Sequence, residues 1–228
     1  MTTDEMKIKF TEIQENFRNK ISLEDNFDLS DLKTVAGVDL AYWNGNDREY
    51  AVCCIVIIDI NTHQIIEKKY YSGEITVPYI PSFLAFRELP LVLETVKLLE
   101  IIPDIYMFDG NGYLHPRNMG IASHASFYLD KPTIGVAKTY FRVDKKTDFI
   151  MPENTAGSYT DIIIDGKVYG RTLRTHDNVK PVFVSVGNNI SLDTAVKTTL
   201  QLTEKESHIP IPTRYADLET HVMREKLS

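Results

Sequence analysis

The chain has 228 residues, 43% of them hydrophobic and 25% charged, a composition that fits one ordinary globular domain. Lys and Arg number 25 against 32 Asp and Glu, a formal charge of −7. That balance gives no general electrostatic pull toward nucleic acid, so composition by itself counts against a DNA or RNA partner.

Residues 1–31 are acidic, with eight Asp/Glu against four Lys/Arg. They hold no apolar signal core, so no export signal is expected. Apolar spacing at Met6, Phe10, Ile13 and Phe17 predicts an amphipathic helix, an N-terminal extension to a single domain over 1–228. Residues 35–40 open a first strand that ends near the turn dipeptide Asn44-Gly45. Residues 51–60 predict a second. Its run 51–58 is the longest uninterrupted apolar stretch and is too short to span a bilayer, so no membrane is expected. Cys53 and Cys54 are the only cysteines. Neighbours in a strand point to opposite faces, which argues against a disulfide between them and for a reducing, cytoplasmic setting. Residues 65–71 predict a third strand, and the short connections an antiparallel meander.

The period then changes. Over residues 82–100, Phe83, Phe86, Leu89, Val92, Val96 and Leu99 fall on one helical stripe. Residues 105–108 predict a short buried strand ending at Asp109-Gly110, 120–129 a helix, and 133–137 another strand. Helical crossovers imply parallel pairing, so the fold class is α/β: a mixed sheet of three antiparallel strands followed by parallel ones, flanked by helices. Residues 141–180 predict hairpins and loops, 181–186 a strand, and 191–202 a helix capped by Ser191. Ile209-Pro210-Ile211-Pro212 interrupts the chain before a last helix from about Thr213.

Two carboxylates follow apolar runs, where a charge is costly unless paired or cation-bound: Asp39, expected to end the first strand, and Asp109, expected to end the fourth. If those strands are neighbours, the two meet at one sheet edge. Glu88, inside the long helix, and Asp217, early in the last, are further candidates. Carboxylates without thiols and with few imidazoles suit Mg²⁺ or Mn²⁺ rather than zinc, and such ions serve phosphate chemistry. Lys138 closes the strand 133–137 on the same edge as Asp109 and could hold a scissile phosphate or an attacking water. Gly110, Gly112 and Gly120 allow close approach of backbone to a ligand. His115 and Arg117 share their loop, while His124 reads as a structural helix residue. The segment Val77-Pro78-Tyr79-Ile80-Pro81 is stiffened by two prolines and is expected to present Tyr79 and Ile80 outward, as a wedge that fills the gap left by an extruded base. Lys167, Arg171, Arg174 and Lys180, opposed by Asp177 alone, form a candidate phosphate-facing strip.

Five segments together resemble the endonuclease V family: VAGVDLAY at 35–42, VPYIPSFLAFRELP at 77–90, DGNGYLHPRNMGIASH at 109–124, PTIGVAKTYF at 132–141 and PVFVSVGNNISLDTAV at 181–196. The resemblance covers about residues 34–220. It implies an RNase H-like fold. It also implies Mg²⁺-dependent nicking of DNA or RNA at inosine, at the second phosphodiester 3′ of the lesion, leaving 3′-hydroxyl and 5′-phosphate ends. Mn²⁺ would substitute for Mg²⁺. By motif the catalytic and metal-holding carboxylates fall on Asp39, Glu88 and Asp109. Asp217 falls at a variable His/Asp position that supports a second metal, and the catalytic lysine is Lys138. The wedge falls on Pro78, Tyr79, Ile80 and Pro81. The base pocket falls on the backbone around Leu84, Gly110, Gly112, Gly120 and Ile121. Arg87 and His115, in the same segments, are expected to contact substrate. Asn111 and Asn188 stand where many bacterial members carry His. A monomer is expected. The readings set beside this one are an RNase H-like nuclease for flapped or branched strands, and a non-catalytic inosine-binding module.

Overall fold

In the computed structural model, which describes residues 1–144 and 146–228, Thr34–Gly45 (β1) and Arg48–Asp59 (β2) form a long antiparallel hairpin. Its two-residue turn is Asn46 and Asp47, both at positive φ (50° and 59°), the left-handed backbone that suits the twist of a tight hairpin. Ile65–Glu74 (β3) pairs antiparallel with β2, completing the expected meander. Leu84–Val96 (α2) then crosses to Ile105–Asp109 (β4), which lies parallel to β1. Ile121–Leu129 (α3) crosses to Thr133–Ala137 (β5), parallel to β4. Both crossovers follow the sequence expectation. Helix α2 is shorter at both ends than its apolar stripe; at its start, Ser82 turns left-handed (φ 69°) just before it.

The stretch after β5 resolves into strands Tyr159–Ile164 (β6) and Lys167–Leu173 (β7), joined at Asp165-Gly166, both at positive φ. They continue the sheet through Val182–Asn188 (β8), antiparallel to β5. One eight-stranded sheet therefore runs β3-β2-β1-β4-β5-β8-β7-β6. The chain closes with Leu192–Gln201 (α4) and Ile211–Leu227 (α5). Helix α5 begins before Thr213 because Pro212 sits in its first turn, where its missing N–H costs nothing. It lies beside β1 and β2.

Two apolar layers cover the sheet. One contains Val35, Cys54, Met107 and Val136 with Ala195 of α4 and Ile211 and Ala216 of α5. The other contains Val38, Cys53, Ile55 and Phe108 with Leu89 and Val92 of α2 and Ala122 of α3. Cys53 and Cys54 therefore face opposite layers, as strand alternation requires, and both thiols are free and buried. Thr3–Arg18 (α1), capped by a reciprocal Thr2–Glu5 box, packs outside the second layer. There Phe17 stacks on Phe127, with ring centroids 4.6 Å apart. Among the described residues no helix is long and apolar enough to cross a membrane.

One glycine sets how closely α5 approaches the sheet. A Cβ on Gly37 of β1 would lie 1.9 Å from the carbonyl oxygen of Pro212, so only glycine lets the start of α5 rest on the strand. Gly37→Ala is expected to lift α5, lowering stability by about 1–3 kcal/mol and nuclease activity with it, since α5 carries Asp217. Urea denaturation measures the first effect; an unchanged midpoint would show that the contact is not limiting.

Candidate active site

The parallel register of β1 and β4 runs Val35 opposite Ile105 to Val38 opposite Phe108. Asp39 and Asp109 come next on each strand and share a face. Asp39 does not end its strand, as expected from sequence. It lies in the middle of β1, paired with Cys54, where the neighbouring β4 runs out. The strand continues because its other neighbour, β2, pairs along its whole length. Asp109 is paired with Val136, which brings Lys138, two residues further along, to the same end. The Lys138 Nζ lies 2.6 Å from Asp109 Oδ2 and 3.4 Å from Asp217 Oδ2, the latter delivered by α5. His221, one helical turn beyond Asp217, puts its Nε2 3.2 Å from Asp217 Oδ1.

These charges are poorly matched. Burial, and then the charges of Asp109 and Asp217, push the Asp39 carboxyl up to about 8. Burial also raises Asp109, against the opposing bond from Lys138. Lys138 itself is pulled down by burial, but its contact with Asp109 prevails and raises it. The donors are carboxylate oxygens, the set that suits a hard divalent cation. Among the described residues no three acidic, His or Cys side chains already converge as a ligand set. Instead the Lys138 ammonium stands between two of the aspartates.

Glu88 is placed differently from the other three carboxylates. Alternation along β1 puts Tyr42 on the α2 side of the sheet, and the Tyr42 hydroxyl donates to Glu88 there. Burial lifts the Glu88 carboxyl to about 7, against the Tyr42 bond and nearby Arg87; Asp109 adds a smaller push. The expected four-carboxylate group is thus three aspartates and a lysine on one face, with Glu88 coupled to it through the field of Asp109.

Directly after Asp109 a cavity of about 120 Å³ opens, lined by Tyr79, Leu84, Gly110, Asn111, Gly120 and Ile121 among others. Gly112 forms its support rather than its wall. The Gly112 N–H donates to Ser185 Oγ at 2.9 Å, its carbonyl accepts from Gly120 N at 3.0 Å, and a Cβ there would lie 2.1 Å from Val186 O. Asn111 lines the cavity with its side-chain oxygen buried and without a partner. Asn188, by contrast, is structural, accepting from Ser22 N at 2.7 Å. His115 reaches the cavity wall but is buried. Its Nε2 donates to Ser82 O at 3.1 Å, and burial, then Arg117, lowers it to about 3.

Three sequence expectations need correction. Tyr79 is 67% exposed between exposed Pro78 and Pro81, but Ile80 is buried against Phe10 and Phe83. Only Tyr79 projects, because Ile80 anchors the loop. Arg87 is buried and committed to protein: it pairs with Glu49, donates to Val77 O at 2.7 Å and covers the Tyr42 ring at 4.7 Å. It braces the loop rather than lining the cavity. The basic strip also loses its two arginines, while Lys167 and Lys180 stay exposed. Arg171 pairs with Asp161 (2.8 Å) and Asp193 (2.5 Å), while Arg174 is buried, donating to the carbonyls of Pro152, Glu153 and Val179. His124 is buried, as expected.

Sequence reasoning missed Tyr42, which only the pairing of β1 against α2 brings to Glu88. It also missed His221, although Asp217 and His221 at i,i+4 on a helix was a readable signal.

The family model for endonuclease V matches residues 15–218. Endonuclease V of Bacillus thuringiensis subsp. konkukian is 60% identical, over 98% of this chain and 96% of its own. The crystal structure of the Bacillus subtilis endonuclease V superposes with a TM-score of 0.93 at 52% identity, covering 100% of this chain and 94% of that one. Ciona intestinalis endonuclease V, solved in complex with a 24mer DNA containing an inosine followed by a ribo-adenosine, superposes at 0.86 and 30% identity, covering 99% and 100%. The mixed sheet is RNase H-like. This chain belongs to the endonuclease V family and is an endonuclease.

Proposed function

We propose that this endonuclease hydrolyses nucleic acid, DNA or RNA, at inosine. The cut falls at the second phosphodiester on the 3′ side and leaves 3′-hydroxyl and 5′-phosphate ends. The observation that carries the reading is the adjacency of Asp109 and Gly110: one residue belongs to the acidic cluster, the next lines a cavity of about 120 Å³. That volume is of the order of the roughly 150 Å³ cavity that accepts a benzene-sized ring. It suits a single flipped base rather than a whole nucleoside. The Ciona relative, solved with inosine-containing DNA, supports the choice of base.

Endonuclease V is a nuclease family that generally needs a divalent metal. Asp39, Asp109 and Asp217 are the residues that would hold it, with Glu88 the next carboxylate in reach of the same field. Mg²⁺ is the ion in this reading, and Mn²⁺ substitutes. When bound, a divalent cation stabilises charge on the phosphate and on the attacking and leaving oxygens of an in-line displacement. Lys138 donates from its ammonium to a phosphate oxygen or to the attacking water. Hypoxanthine presents an N1–H donor and an O6 acceptor, where adenine presents the opposite pair. Backbone groups of Leu84, Gly110, Gly120 and Ile121 read that edge from fixed positions. Guanine shares the edge but adds a 2-amino group, which a cavity this small rejects by contact. Tyr79, projecting from the loop anchored by Ile80, takes the place of the extruded base in a duplex.

Asp109→Asn is expected to lower nicking of an inosine oligonucleotide in Mg²⁺ by about a thousandfold, with the thermal midpoint confirming that the variant is folded. A folded variant within tenfold of wild type contradicts the assignment. Tyr79→Ala should slow cleavage of inosine duplexes about tenfold, the worth of one stacked base, and leave single strands unaffected. Equal rates on duplex for both proteins would remove the wedge role.

A further inference from the structure

The N-terminal helix carries one fully buried polar side chain, and it is aimed at the cavity from outside. Gln14 of α1 has no exposed surface. Its Nε2 donates to Ser82 O and to Met119 O, each at 3.2 Å, and its Oε1 accepts from Arg117 Nε at 2.5 Å. Ser82 and Met119 both line the cavity, on segments far apart in the chain. Ser82 ends the Pro78–Pro81 loop and holds left-handed backbone (φ 69°), a conformation that a serine adopts only under outside constraint. Its carbonyl is the constrained point: Gln14, His115 Nε2 (3.1 Å) and Arg117 Nη2 (3.1 Å) all donate to it. Apolar contact one turn away reinforces the link. Phe10, one helical turn before Gln14, stacks on Phe86 with centroids 3.9 Å apart and packs with Ile80 and Phe83.

We propose that Gln14 is a positioning residue. Its carboxamide ties the Ser82 lip of the cavity to the Met119 lip and thereby sets the width available to the base. The consequence is selectivity at the purine 2-position. A cavity held at its present width takes hypoxanthine and rejects a base with a 2-amino group, whereas a cavity whose lips are untied admits both. The inference rests on reading the cavity as the base site. It adds that the acidic N-terminal helix is part of the recognition apparatus rather than an appendage.

Two variants separate this role from simple support of the fold. Gln14→Leu removes all three hydrogen bonds at similar size. Gln14→Glu keeps an acceptor for Arg117 but cannot donate to Ser82 or Met119. For wild type and both variants, kcat and KM are measured on otherwise identical oligonucleotides with inosine, guanosine or adenosine at one position, beside thermal denaturation. The inosine-to-guanosine ratio of kcat/KM is expected to fall about tenfold in both folded variants, the worth of one or two lost hydrogen bonds, chiefly through a gain in kcat/KM for guanosine. A ratio equal to that of wild type in either folded variant overturns the proposal. So does failure of both variants to fold, which would make Gln14 purely structural. If wild type does not prefer inosine to adenosine, the base-site reading fails first, and the two failures are told apart.

Discussion

Three aspartates share one half-buried corner with a single bridging lysine, and much of the architecture serves to hold that imbalance. Asp39 and Asp109 meet because β4 lies parallel to β1 and both carboxylates come one residue past the last paired rung. Asp217 joins them because Gly37 lets α5 rest on β1 without a side chain between. Lys138 arrives from the parallel β5 and neutralises only part of the charge. A fold that buries carboxylates against each other gives up stability unless something positive is bound. That imbalance is what supports the proposal of a cation there, more than any one residue does. Paired Arg–carboxylate contacts elsewhere, such as Arg171 with Asp161 and Asp193, show the ordinary alternative in which protein charges satisfy one another.

The cavity beside the cluster depends on a different economy, that of backbone contact. Glycines at 112, 120 and 135 let four chain segments approach within distances that a Cβ would forbid. A wall made from backbone offers donors and acceptors in fixed positions, which suits discrimination between two bases that differ by exchange of a donor and an acceptor. Such a wall needs bracing from outside. Arg87 braces the start of the Pro78–Pro81 loop through Val77, Ile80 anchors its middle, and Gln14 and Arg117 hold its end at Ser82.

Much of this was legible in the residues. The apolar runs and their short or helical connections defined the strand order through β5, and Asp109, Lys138 and the glycines followed from their positions after strands. The β6–β7 hairpin was less legible, although Asp165-Gly166 is a strong turn signal, because the flanking residues alternate weakly between apolar and polar. What could not be read was commitment to other protein groups. Arg87, Arg174 and Ile80 look available in sequence, and each is spent on long-range contacts that only the folded chain reveals. Glu88 was grouped with the aspartates, but the strand alternation that puts Tyr42 opposite α2 places it on the other side of the sheet. Gln14 carried no signal at all: a polar residue on an acidic helix reads as solvated until its three partners arrive from other segments.

The net charge of −7 also changes meaning. With Arg171 and Arg174 used internally, only Lys167 and Lys180 of that strip stay exposed, and in the proposed reading a cation held at the acidic corner supplies the local attraction. That claim is tested most directly without any substrate, by following thermal unfolding against Mg²⁺ concentration for wild type and Asp39→Asn. The account predicts that Mg²⁺ at about ten times its dissociation constant adds about 1.4 kcal/mol to wild type, a rise of roughly 3–5 °C for a chain of this size. It also predicts that Asp39→Asn is more stable than wild type without Mg²⁺ and shows no comparable rise with it. A wild-type midpoint indifferent to Mg²⁺, or an equal rise in Asp39→Asn, would contradict it.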